Sequence, residues 1–113
     1  MQLLIAVINR EEHIDDILTG FLELGITGAT MVASEGMGHV LASDMPIFAG
    51  VRALHAHARP ENRTLFCVAE DEKIEAAVTM IQNVCGDLNE PGVGICFVLP
   101  VARVVGLAPE LDG

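Results

Sequence analysis

Two helical stretches, each held between short apolar runs, constrain the fold of this chain more than any other feature. The run from Leu3 to Ile8 is short and rich in branched residues, and it reads as a strand. Asn9 then offers an N-cap with Glu12 three residues later, the pattern of a capping box, so a helix is predicted from about Arg10. Ile14, Ile17, Leu18, Phe21 and Leu22 recur at helical spacing, and Gly25 stands where helix ends favour glycine. Small and branched residues over 29–34 predict a second strand, and 63–69 a third. Asp71 is placed to cap a second helix, whose apolar face carries Ile74, Ala77, Val78, Ile81 and Val84, with Gly86 just beyond it. A fourth strand is predicted over 95–101.

The resulting order is βαββαβ, the split-βαβ arrangement of ferredoxin-like folds. It predicts an α+β sandwich: an antiparallel four-stranded sheet with both helices on one face. A length of 113 residues suits one domain over 1–113. Strands one, three and four are nearly continuous apolar runs, although a sheet with one wet face should alternate. Something must therefore cover the second face. The simplest cover is another copy of the chain, because a bare face would be a large apolar patch. A homo-oligomer is expected.

Charge narrows the partners. Sixteen acidic residues against six basic ones leave a net charge of −10, which opposes binding to a phosphate backbone or to an anionic membrane surface. The first apolar run is too short for a signal-peptide core or a membrane-spanning helix, so a cytoplasmic protein without membrane insertion is expected. Cys67, Cys85 and Cys96 lack metal-type spacing and read as small hydrophobes. His13 stands among Glu11, Glu12, Asp15 and Asp16, which together read as a solvated acidic helix start. No Ser or Cys has a recognisable base beside it in sequence, so no catalytic residue is assigned and an enzyme is not expected.

Two glycine pairs flank strands: Gly36-Met-Gly38 follows the second, and Gly92-Val-Gly94 leads into the fourth. Such pairs let a backbone approach a ligand or another chain closely. Between strands two and three lies a long connection over about 39–62, where a hairpin would need only a few residues. Ile47, Phe48, Val51 and Leu54 within it suit a short amphipathic helix that packs on the domain, docks on a partner or closes over a ligand. Arg52, Arg59 and Arg63 form a scattered set able to meet an anion.

Gly25-Ile-Thr-Gly28-Ala-Thr30 followed by Gly36-Met-Gly38, together with Gly92-Val-Gly94 running on to Phe97-Val-Leu-Pro100-Val101, resembles the signatures of the nitrogen-regulatory P-II signal-transduction family and its P-II-like relatives. The resemblance spans most of the chain. It implies a trimer whose clefts between subunits hold ATP or ADP, and a loop after strand two that contacts a transporter or an enzyme. It implies cleft positions at Thr30, Gly36, Gly38, Gly92 and Gly94, and His39 stands where classical members carry a loop-base Gln that helps hold 2-oxoglutarate, the small-molecule effector. Ile95, Gly106 and Ala108 stand where the family carries a Lys and two Arg. Hydrogen bonds to charged groups contribute about 1.5–3 kcal/mol each, so losing three removes roughly 4 kcal/mol or more even after non-additivity, on the order of a thousandfold in affinity. Arg63 and Arg103 are the candidate replacements. The chain has no Tyr, so the tyrosine modification of some relatives has no target here.

Two other readings stand beside the regulator. One is a metal-binding trimer resembling the cation-tolerance proteins, with His39, Asp44, His55 and His57 in one loop, although surface histidines are commoner than sites. The other is a trimer that binds its partner with no ligand.

Overall fold

The computed structural model describes residues 1–44 and 62–107. Their elements are β1 (Gln2–Ile8), a 3-10 turn (Glu11–His13), α1 (Ile14–Glu23), β2 (Thr30–Ser34), α2 (Met37–Asp44), β3 (Asn62–Ala69), α3 (Asp71–Cys85) and β4 (Gly94–Pro100). The four strands form one sheet in the order β2-β3-β1-β4, and every neighbouring pair is antiparallel. Consecutive strands in the chain are therefore separated in space, except for β2 and β3, which the long connection joins. This is the α+β, ferredoxin-like arrangement expected from the order of elements.

Alternation along the strands divides the sheet into two faces. Leu4, Ala6, Ile8, Leu65, Cys67 and Ala69 point to one face and are buried against Ile14, Ile17 and Phe21 of α1 and Ile74, Ala77 and Ile81 of α3. Each large aliphatic or aromatic side chain removed from water in this way contributes about 1.5–3 kcal/mol. The other face places Ile5 between Phe66 and Phe97, Val7 between Thr64 and Ile95, and Leu3 between Val68 and Leu99. On that face Val32, Phe66, Ile95, Phe97 and Leu99 remain 37% to 56% exposed. The near-continuous apolar strands thus produce a packed face and an open apolar one.

The end of α1 follows from its glycine. Gly25 has φ +83°, its N–H donates to Leu22 O at 2.9 Å, and the Ile26 N–H donates to Phe21 O at 2.8 Å. This is a Schellman closure, completed by contact between buried apolar residues on both sides of the turn. Leu22 is 58% exposed, contrary to its expected place on the inward face. Eight residues at 3.6 per turn carry it about 80° around the helix from Ile14, to the margin of the buried stripe.

Two expected caps are absent. Asn9 makes no side-chain cap on α1, whose start is the 3-10 turn after extended Arg10; its side chain instead accepts from Asn62 Nδ2 at 3.2 Å. Asp71 is the first residue of α3 rather than its cap, and its carboxylate pairs with the Met1 ammonium at 2.8 Å. The pairing of Gln2 with Ala69 brings those two chain positions together.

Helix α2 occupies residues where the long connection was expected to begin. No proline interrupts 37–44, and the Gly36 carbonyl accepts the Val40 N–H at 3.2 Å, so the turn after β2 closes directly into a helix. The expected amphipathic helix around Ile47, Phe48, Val51 and Leu54 lies outside the described residues. Among the described residues, no helix is long and apolar enough to cross a membrane.

Candidate functional site

Both glycine segments leave the same end of the sheet. Ser34 and Asn62 are the last register pair of β2 and β3, while Gly94 pairs with Ile8, which pairs in turn with Arg63, opposite Ala33. They leave from opposite edges, however. With β3 and β1 between them, β2 and β4 stand roughly 14 Å apart at the usual interstrand spacing.

Thr30 opens β2 on the exposed face, opposite Phe66. Gly36 lies in the turn after β2, and Gly38 and His39 lie in the first turn of α2. Gly92, with φ +79°, precedes buried Val93, and Gly94 is the first residue of β4. Gly94 is constrained twice: its φ is +155°, and a Cβ there would stand 2.5 Å from the Val7 carbonyl oxygen. Only glycine fits so close to the neighbouring backbone.

Thr30 and Gly94 line different cavities. One, of about 210 Å³, is bounded by Gly28, Thr30, Phe66, Cys67, Val68 and Val104 to Leu107. Reaching it requires the chain to cross from β4 back towards the β2 edge, beginning where the Val101 N–H donates to Met1 O at 3.1 Å. The other, of about 240 Å³, is bounded by Gln82, Gly86 to Asn89 and Gly94 to Cys96. Its one charged lining residue is Asp87, and the first cavity is lined by uncharged residues. Gly106 and Ile95, both at positions where the resemblance implies a cation, line the first and second cavity respectively; Ala108 lies outside the described residues.

The candidate replacement cations divide. Arg63 sits in the row with buried Ile8, on the helix-covered side, and pairs with Glu11 at 3.6 Å. Arg103 is exposed and immediately precedes the lining residue Val104. Arg52 and Arg59, the rest of the proposed anion set, lie outside the described residues, as do His55 and His57. Among the described residues, no group of three or more His, Cys, Asp or Glu is arranged to hold a metal ion.

The remaining titratable groups have structural settings. Cys67 is buried; burial pushes the Cys85 thiol above its usual pKa, and burial followed by the neighbouring Cys85 does the same to Cys96. Such thiols are poor nucleophiles at neutral pH. The Met1 ammonium is also raised, chiefly by its hydrogen bond to Asp71. His13 Nδ1 is buried without a hydrogen-bond partner among the described residues.

One polar cluster escaped the sequence reading. Ser34 Oγ donates to Asn62 Oδ1 and lies 2.8 Å from Thr64 Oγ1, Asn62 Nδ2 donates to Asn9 Oδ1, and the Asn9 N–H donates to Val93 O at 3.3 Å. Its signal was present: Asn62 and Thr64 are polar at alternate positions of an apolar strand, hence on one face.

A search of curated proteins finds none that matches this chain. A family model described as nitrogen regulatory protein P-II matches residues 1–110, nearly the whole sequence, in agreement with the sheet order and the two helices packed on one face. The chain therefore belongs to the nitrogen regulatory protein P-II family.

Proposed function

We propose that this chain is a non-enzymatic signal-transduction regulator that works as a homotrimer in the cytoplasm. A small effector, with ATP or ADP as the first candidates, binds where the β2 edge of one subunit meets the β4 edge of the next. Thr30, Gly36, Gly38 and His39 come from one edge, and Gly92 and Gly94 from the other. The connection over 39–62 carries the state of the site to a partner, such as a transporter or an enzyme. The family's regulatory role supports this reading.

The observation that carries it is the placement of the two glycine segments on opposite edges of one sheet, at the same end. In one protomer β1 and β3 separate the two glycine segments by roughly 14 Å. A second copy would bring its β2 edge against this β4 edge, and the open apolar face supplies the surface on which copies would associate.

Isothermal titration of the purified oligomer with ATP, ADP and AMP, with and without magnesium, tests the effector. Saturable heat near one nucleotide per subunit supports it, and loss of that heat in Arg103→Ala would identify Arg103 as the replacement cation. No heat with any nucleotide favours a trimer that binds its partner without a ligand. The uncharged lining around Thr30 and Gly106 and the acidic lining around Gly94 favour that second reading. A stoichiometric shift of histidine resonances on zinc addition would instead bring back the metal-binding trimer.

A further inference from the structure

The polar cluster at the sheet end has no part in the core, yet it bonds to Val93 in one glycine segment and lies beside Gly36 of the other. Asn62 is its hub. Its Oδ1 accepts from Ser34, its Nδ2 donates to Asn9, and a Cβ at Gly36 would stand only 3.8 Å from that same Nδ2. Asn9 continues the chain by donating its backbone N–H to Val93 O, between Gly92 and Gly94. Hydrogen bonds thus run from the entrance of β4 through Asn9 and Asn62 to Ser34, which closes β2 two residues before Gly36.

Packing alone does not require this path. Ser34, Asn62 and Thr64 belong to the open face, where Val32, Val7 and Ile95 occupy the other positions of the Thr64 row. Asn62 opens β3 where the connection leads into it, and Ser34 ends β2 on the other side. A single amide therefore pins both ends of the connection and ties them to a separate glycine segment.

We propose that Asn62 is a coupling residue: it links the backbone setting of the Gly92-Val93-Gly94 segment to that of the turn at Gly36. A change at one end shifts the other through the Asn9–Asn62–Ser34 hydrogen bonds, and by linkage the effect is reciprocal. Use of this link in signalling rests on the regulator reading above. The link itself is a property of the ligand-free chain and is measured without any effector.

Two backbone amides report the two ends: Val40, which donates to Gly36 O, and residue 9, which donates to Val93 O. Hydrogen exchange followed by NMR in the ligand-free protein should show the Val40 amide exchanging about fivefold faster in Asn9→Ala, the factor expected for loss of one hydrogen bond. In Ser34→Ala the amide of residue 9 should quicken by about the same factor. Asn9→Asp keeps the acceptor for Asn62 Nδ2 and should restore wild-type exchange at Val40. Changes confined to the neighbours of each substituted residue would overturn the proposal, as would an Asn9→Asp protein that behaves like Asn9→Ala. Amides in the middle of β1 and β3 monitor the fold; if Asn9→Ala destabilises them too, the Ser34→Ala result decides. Adding ATP with magnesium to the wild-type protein separates the two ideas, since absent nucleotide shifts count against the effector and leave the coupling intact.

Discussion

Gly94 is the residue with the least freedom to change. Alanine there would have to hold a φ near +155° and push the Val7 carbonyl away, so Gly94→Ala should cost about 2–3 kcal/mol in urea denaturation. A loss below about 0.5 kcal/mol would mean that β4 shifts off β1 without penalty. Single groups also set the response to alkali. The Met1 ammonium is raised above 8.0 in the folded chain, and the Cys85 and Cys96 thiols above 9.0. A raised folded pKa contributes stability that is complete below the unfolded value and disappears as pH climbs through the folded one. Stability should therefore decline from about pH 8 upward, first through the amine and then through the thiols. Asp71→Asn should flatten only the first part of that decline, and an unchanged profile in a series of urea melts would contradict the assignment. At this scale the sequence was least legible. Asn9 and Asp71 both carry the chemistry of a helix cap, but strand pairing brings each beside a stronger partner, Asn62 and the Met1 ammonium, which no local pattern reveals.

Elements were far easier to read, because their signals are periodic and repeated. Four apolar runs became the four strands within a residue or two at each end, and the two long amphipathic stretches became the helices that cover the core. Gly25 was legible for a related reason: left-handed backbone after a helix strongly selects glycine. Gly25→Ala should lower stability by about 1–2 kcal/mol, measured as a shift in denaturation midpoint at constant slope. An equal stability would show that the turn rebuilds without the Schellman bonds. Helix α2 was missed because glycine at 36 and 38 reads as a loop, whereas a glycine in the first helical turn loses only about 1 kcal/mol relative to alanine.

For the whole molecule, uninterrupted apolar strands announced an open face seeking cover, and the structure leaves Phe66, Ile95 and Phe97 exposed there. Phe97→Glu places a charge beside Ile5 at the centre of that face. Light scattering should find the wild-type chain as a trimer and Phe97→Glu as a smaller species; a wild-type monomer would sink the shared-cleft reading. The ferredoxin-like order of elements already implied β2 and β4 at the two edges, but no local pattern showed the register that aligns the two glycine segments across that division. That division has a genetic flavour. A chain damaged at Thr30 and a chain damaged at Gly94 should each fail to build a working cleft, yet mixed rings of the two would contain a junction at which both intact edges meet. Two defective alleles would then rescue one another in the same cell, as a cleft owned by a single subunit never could.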